Sequence, residues 1–159
     1  MTGGMYLIYK LIHIIAVVMF LGNITTGVFW HRNAVRTRDP RILAHTMAGI
    51  IRSDAFFTNP AAVLILAAGI MAAIKGNLPI WHTEWIRYGI ILFVISGASF
   101  GMRVAPLQRK LLATAQAGVS GSFDEAAYHR LALQWEIWGA VATLAPFLAL
   151  ILMVLKPTH

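Results

Sequence analysis

The sequence of 159 residues contains no cysteine. This absence excludes disulfides, iron–sulfur clusters, thiolate zinc sites, a cysteine nucleophile and the Cys-x-x-Cys-His attachment site of c-type haem. Charged residues make up only 12% of the chain, whereas a soluble domain has about 25%. Because 58% of the residues are apolar, too little polar surface remains to solvate a water-soluble fold. We therefore predict a small integral membrane protein with a single domain over residues 1–159.

Acidic residues are especially few, with six Asp and Glu against 13 Lys and Arg. None of the six lies in the middle of an apolar run, so the usual carboxylates of a transmembrane proton or cation relay are lacking. Walker, nucleophile-elbow and dinucleotide-binding motifs are lacking as well. Attraction to anionic lipid headgroups explains the net charge of +7, so we expect a lipid bilayer and no nucleic acid as a partner.

Four apolar runs are each long enough to cross a bilayer, which requires about 20 residues in a helix. They are continuous, whereas a membrane β-barrel has alternating segments of about 10 residues. The runs predict an all-α, four-helix membrane bundle. An amphipathic pattern between the first two runs predicts an inner interfacial helix at about 41–54. The spans are predicted at about residues 7–30, 55–74, 85–102 and 137–155.

Polar positions also indicate how the third and fourth helices are built. The third is expected to extend over residues 104–116, with a kink at Pro106. A capping pattern at residues 122–125 predicts that the fourth helix begins at about residue 123, well before its apolar run.

The distribution of basic residues predicts the orientation of the bundle. Nine of the 13 Lys and Arg residues lie in two connecting segments, 31–54 and 103–136. Basic residues in short connections are held on the cytoplasmic side of the membrane. We therefore predict a multi-pass membrane protein with both termini on the outer side.

His13 is the one histidine inside an apolar run, and an ionisable side chain there is a functional candidate by default. Two alternatives are open for it: a neutral imidazole that bonds a neighbouring helix, or a ligand of haem or another metal. His31 follows 18 residues later in the sequence, which is about 27 Å along a helix, so these two side chains cannot share one metal ion.

The remaining histidines are less distinctive. His31, His45 and His129 fall on the predicted inner side but on three different segments, without a local metal-ligand spacing. We expect them to lie near lipid headgroups and not to form a metal site. His82 lies in the outer connection, on the same predicted side as His13, where it is a candidate for a shared site.

Other polar and small residues are expected to serve packing. Asn23, Thr25 and Thr26 are predicted to join helices by hydrogen bonding. Gly97 with Gly101 forms a Gly-x-x-x-Gly pair that permits close helix approach. Asp54 and Glu136 flank predicted helix starts, where capping or pairing with arginine is expected.

Four segments resemble a family of predicted four-span bacterial membrane proteins that is known only as a domain of unknown function. The resemblance covers nearly the whole chain, and the Trp-x-x-Trp-Gly and Leu-Met-Val-x-Lys-Pro motifs are its most specific parts. The segments run from Tyr6 to Ala16, from Ser53 to Pro60, from Trp135 to Gly139 and from Leu152 to Pro157.

The first helix and the Val-x-Lys-Pro ending are also distantly similar to the membrane-embedded protoporphyrinogen oxidase family, and loosely similar to the copper-resistance D family. The oxidase resemblance implies haem b and a redox reaction in haem biosynthesis. It matches a haem-ligand histidine to His13, a tail lysine to Lys156 and, roughly, a helix-ending histidine to His31. The third-helix histidine of that family is replaced here by Trp-Ile-Arg-Tyr at residues 85–88. No second axial ligand is therefore carried over, and the candidates are Met71, Met102 and His82.

These observations favour a haem-b-binding membrane protein with a redox or haem-handling role and with His13 as an axial ligand near the outer face. His82 is a candidate second ligand, and Lys10, Arg87 and Lys156 are candidate partners of the haem propionates. Catalytic residues and substrate are left unassigned. Two alternatives stay open: a cofactor-free accessory or structural subunit of a homo-oligomer or larger membrane complex, and a copper-handling protein.

Overall fold

A computed structural model describes residues 2–156, with side chains from residue 4 onward, and residues 1 and 157–159 lie outside the described part. Its described residues form four long helices and no strand. Each helix contains a stretch that is long and apolar enough to cross a membrane, which confirms the four predicted spans. The helices are α1 (Thr2–Thr37), α2 (Pro40–Lys75), α3 (Glu84–Val119) and α4 (Glu125–Leu155).

The helices extend well beyond the predicted spans. Three of them have 36 residues, or about 54 Å, against a hydrocarbon core of about 30 Å. The segment predicted as a separate interfacial helix is helical, but it is the first part of α2 and continues into the second span. Helix α3 runs on past Pro106, as predicted. Helix α4 begins at Glu125, where the side chain of Asp124 caps it by accepting from the backbone N–H of Ala127.

The bundle has two distinct ends. At the basic end, α1 and α3 finish and α2 and α4 begin, and Gly118 lies against Pro40 and Phe123. At the terminal end, α1 begins, α4 finishes and the 76–83 connection joins α2 to α3. Tyr6 contacts Gly76 there.

Two π turns interrupt the central helices, at Asp54–Thr58 in α2 and at Phe100–Val104 in α3. Each ends two residues before a proline, at positions 60 and 106. Proline has no N–H to donate, and its ring clashes with the carbonyl four residues earlier. The helix therefore widens by one residue: the Asn59 N–H bonds to the carbonyl of Asp54, five residues back.

At the π turns, the central helices change packing partners. The terminal half of α2 (Asn59–Lys75) packs on α1, and the terminal half of α3 (Glu84–Ser99) packs on α4. The basic half of α2 (Pro40–Ser53) packs mainly on the basic half of α3 (Ala105–Val119). The larger apolar core therefore lies at the basic end, and a smaller one joins α1 to α2 toward the terminal end.

Helices α3 and α4 pack without the predicted Gly-x-x-x-Gly contact. A Cβ placed on Gly97 or Gly101 meets no atom within 4 Å among the described residues. The prediction of a close helix approach at this pair is therefore wrong for contacts within the chain. The packing uses a different face of α3, where the Ser96 hydroxyl donates to the carbonyl of Ala142 at 2.6 Å and Gly89 lies against Met153.

Candidate haem site and buried polar clusters

His13 lies in the interface between α1 and α2, half-buried. Its Nδ1 is 2.8 Å from the carbonyl oxygen of Ile65. Because a carbonyl only accepts hydrogen bonds, Nδ1 carries the hydrogen, and in the neutral ring Nε2 keeps its lone pair. Gly69 leaves room for the ring: a Cβ at that position would lie 2.9 Å from Nδ1.

This geometry has two chemical consequences. The hydrogen bond joins α1 to α2, as expected for a packing histidine. It also fixes the tautomer in the way typical of metal-ligating histidines, whose second ring nitrogen donates to a carbonyl or carboxylate. An imidazole held like this is suitable as an axial ligand of haem iron.

Two of the three candidate second ligands lie elsewhere, whereas Met71 lies on α2, two residues beyond Gly69. His82 is exposed in the 76–83 connection, and no hydrogen bond or ion pair joins it to His13 in the described part of the chain. Met102 is 71% exposed and belongs to the π turn of α3. Phe93 contacts Phe20 on α1, and counting the helical rise from this contact places Met102 about 24 Å along the bundle from His13. Met102 is therefore too far away to ligate the same iron.

Three candidate cations lie at the terminal end, each over an aromatic ring. Distances from the charged group to the ring centroid are 5.2–5.8 Å. No carboxylate pairs with any of them within residues 4–156. The pairs are Lys10 with Tyr6, Arg87 with Tyr88 and Lys156 with Trp85.

A buried carboxylate network, which we name the Asp54 cluster, joins three helices. Asp54 is 7% exposed. Its Oδ1 accepts from Nδ2 of Asn23 at 3.0 Å and from the Thr58 hydroxyl at 2.7 Å, while its Oδ2 accepts from Nε2 of Gln108 at 2.8 Å. Asn23 also donates to the Thr58 hydroxyl at 2.8 Å. The prediction that these side chains join helices is therefore confirmed for Asn23, whereas Thr25 donates to the carbonyl of Leu21 in its own helix.

The sequence prediction for Asp54 is wrong. Asp54 does not cap a helix start, because the chain is already helical from Pro40, and no arginine is among its hydrogen-bond partners in the described residues. Two of those partners, Asn23 and Gln108, are 31 and 54 positions away in sequence. The available local signal was a lone carboxylate six residues before Pro60, since a proline disrupts the helix around it. Glu136 does pair with an arginine: it lies 3.2 Å from Arg32.

His31 is the centre of a second buried group and is 0% exposed, so the predicted position near headgroups is wrong. Its Nε2 lies 3.1 Å from the Tyr128 hydroxyl, and its ring centroid lies 4.7 Å from that of Trp135. The basic-end core surrounds it because α1 and α4 meet there. His129 is exposed and lies 3.6 Å from Glu125.

A cleft of about 610 Å³ opens between α1 and the basic half of α2. It forms where the π turn directs α2 away from α1 and toward α3. His45 is exposed on its wall. The structure thus distributes His31, His45 and His129 among the core, the cleft and the surface.

A family model described as "Predicted integral membrane protein (DUF2269)" matches residues 7–157. The matched range includes all four predicted spans. No curated protein and no solved structure matches the chain.

Proposed function

We propose that this chain, which belongs to the family of predicted integral membrane proteins, binds haem b in the bacterial inner membrane and has a redox or haem-handling role. His13 is the proposed axial ligand. One observation carries the proposal: Nδ1 donates to the carbonyl of Ile65 at 2.8 Å, which leaves Nε2 as the ligating nitrogen. The distant resemblance of the first helix to a haem-binding family supports the same residue.

The surroundings of His13 suit an amphiphilic cofactor. Haem has an apolar macrocycle, which apolar helix surfaces accept, and two anionic propionates, which need cations. Lys10, Arg87 and Lys156 provide three cations at the terminal end, and none of them pairs with a carboxylate in the described structure. When bound, the haem iron supplies one-electron redox chemistry. The chain holds the imidazole and fixes its tautomer, and Lys10, Arg87 and Lys156 would neutralise the propionates.

The second axial position is proposed to be filled by His82 or by Met71, or to stay without a protein ligand. His82 lies in the 76–83 connection at the terminal end, on the side where the cations are. Met102 is excluded by its position along α3.

The visible spectrum of purified protein, produced with a haem precursor, tests this proposal. Wild type is expected to show a b-type reduced-minus-oxidised spectrum, and His13→Ala is expected to lose it. His45→Ala is the matched control, because His45 is an exposed histidine on the cleft wall. Circular dichroism checks that all three proteins keep their helical content.

Two results contradict the proposal. Either wild type shows no haem spectrum, or His13→Ala keeps the wild-type spectrum while remaining folded. In both cases His13 acts only in packing, and the cofactor-free alternative is favoured.

A further inference from the structure

The cleft between α1 and the basic half of α2 crosses the membrane surface at the basic end. On α1 its wall runs from Asn23 to Thr37, a helical rise of about 21 Å. The first predicted span ends at about residue 30, and the second begins at about residue 55. The deep end of the cleft, at Asn23 and Ser53, therefore reaches the lipid tails, and its outer end, at Thr37 and Ile42, lies beyond them.

The shape and surface of the cleft suit an amphiphilic molecule. Its volume of about 610 Å³ is in the range of about 300–1,000 Å³ that is usual for small-molecule sites, and most of its surface is apolar. At the deep end, the polar side chains of Asn23 and Ser53 are already bonded within the chain. The polar side chains without a hydrogen-bond partner in the described structure lie mainly farther out, at Asn33, His45 and Thr46.

Three arginines, which we name the flanking arginines, lie along one edge of the cleft. On α2, Arg41 and Arg52 share a stripe with His45, because residues four and seven positions apart face the same way on a helix. His45 lines the cleft. On α1, Arg36 follows the lining residue Asn33 by one helical turn. Both walls of the cleft therefore carry arginine beside their polar residues.

The flanking arginines lie on the side of the cleft that faces away from the core. At 3.6 residues per turn, Arg36 lies about 140° around α1 from His31, and Arg52 lies about 140° around α2 from Met47. His31 and Met47 are both fully buried. Arg36, Arg41 and Arg52 are exposed, and no carboxylate pairs with them in the described part of the chain. The cleft therefore opens to the outside between three uncompensated positive charges.

We propose that the cleft binds an anionic phospholipid from the leaflet at the basic end. Its acyl chain lies along the deep, apolar part of the cleft, and its phosphate lies beside Asn33 and Thr46, between the flanking arginines. Arginine forms paired hydrogen bonds to phosphate, and basic pockets between membrane helices bind anionic headgroups. A zwitterionic lipid would leave the charge of the flanking arginines uncompensated. The opening toward the lipid tails favours a lipid over an acidic segment of a partner protein.

Native mass spectrometry of the detergent-purified protein tests this proposal, with phosphatidylglycerol and phosphatidylcholine of identical acyl chains as probes. Wild type is expected to bind phosphatidylglycerol at least about tenfold more tightly, since each arginine near a headgroup contributes about fivefold in affinity. The triple variant Arg36→Gln, Arg41→Gln and Arg52→Gln is expected to lose this preference. Inorganic phosphate is expected not to displace the lipid, because it has no acyl chain.

Two further comparisons separate the cleft from the general positive charge of the basic end. Arg109→Gln with Lys110→Gln and Arg130→Gln removes the same charge from exposed positions on α3 and α4 and should keep the preference. Gly49→Trp fills the cleft, where a Cβ on this lining glycine meets no atom within 4 Å among the described residues. It is expected to weaken phosphatidylglycerol binding at least about tenfold, since the acyl chain loses its apolar contacts. Gly97→Trp, at an equally open position on α3, should bind like wild type.

Circular dichroism compares the helical content of every variant with that of wild type. The proposal is overturned if wild type binds the two lipids equally, if both triple variants lose the preference, or if Gly49→Trp binds like wild type. Displacement of the lipid by inorganic phosphate would assign the site to a free ion and would overturn the proposal as well. The same holds if a photoreactive amino acid at position 46 cross-links to a protein, and not to lipid, in native membranes. None of these readouts involves haem.

Discussion

His13 contacts α2 at a point where a glycine leaves room for its ring. The bond from Nδ1 to the carbonyl of Ile65 requires the imidazole to lie against the α2 backbone. Any side chain at position 69 would occupy that space, since even a Cβ would lie 2.9 Å from Nδ1 and 3.0 Å from Cε1. Gly69 is therefore the residue that positions His13, whether or not the ring ligates iron.

Gly69→Ala is expected to destabilise the protein by about 1–3 kcal/mol, because the added methyl displaces the ring from a packed interface. Gly22→Ala is the matched control: a Cβ there meets no atom within 4 Å in the described residues. Gly22→Ala should leave the free energy of unfolding unchanged or raise it by up to about 1 kcal/mol, because alanine has a higher helix propensity than glycine. Unfolding by sodium dodecyl sulfate in mixed micelles measures the stability of both variants. Equal stabilities for the two variants would refute the assigned role of Gly69.

Single residues also show what the sequence could and could not predict. His13 was identified as a candidate because it interrupts an apolar run, which is a local signal. His31 carries no such signal: it follows Trp30 and precedes Arg32, as a residue at a membrane boundary would. It is buried because α4 brings Tyr128 and Trp135 against it, some 97 and 104 positions away. Contacts of that range depend on how the helices pack.

Helices α2 and α3 are each built from two halves that face different neighbours. The prolines behind this arrangement are visible in the sequence, and a kink at Pro106 was predicted. What could not be predicted is that each helix continues through the disruption as a π turn. Continuation depends on the packing of both halves, which holds the chain helical on either side. The turn in α2 then carries Asp54 between α1 and α3, where Asn23 and Gln108 meet it.

The Asp54 cluster is expected to hold these three helices together. Asp54→Leu removes the buried acceptor of one Asn23 N–H, of the Thr58 hydroxyl and of the Gln108 amide. Because each unsatisfied group costs about 1–3 kcal/mol, we expect a loss of at least about 3 kcal/mol. Asp54→Asn keeps one acceptor oxygen, and a flipped Gln108 amide can accept from the new NH₂ group. Its cost should stay below about 1.5 kcal/mol.

The same micelle titration measures the free energy of unfolding of both variants. The order of these two values distinguishes packing from hydrogen bonding. A packing role alone predicts that leucine, which fills the space, is the milder substitution. Hydrogen bonding predicts the reverse order. If Asp54→Leu proved as stable as wild type, the cluster would not be a structural link between the helices.

At the scale of the whole molecule, hydropathy predicts the number of helices but not their full length. The apolar runs mark only the part of each helix that faces lipid, and Pro40–Ser53 and Ala105–Val119 extend α2 and α3 beyond it. These extensions pack on each other and form the larger core at the basic end. The cleft follows from the same geometry, because α2 cannot pack closely on both α1 and α3 at that end.

The orientation of the bundle in the membrane is the last prediction. Four antiparallel helices bring Thr2 and Leu155 to one end, and the segments 31–54 and 103–136, with nine of the 13 Lys and Arg residues, belong mainly to the other. Basic residues are retained in the cytoplasm, so the basic end should lie inside. Ser120→Cys and Glu84→Cys place exposed thiols at the basic and terminal ends, respectively. A membrane-impermeant maleimide should label position 84 in intact cells and position 120 only after permeabilisation. The reverse pattern would show that the basic end faces outward, and the cleft would then open to the outer side.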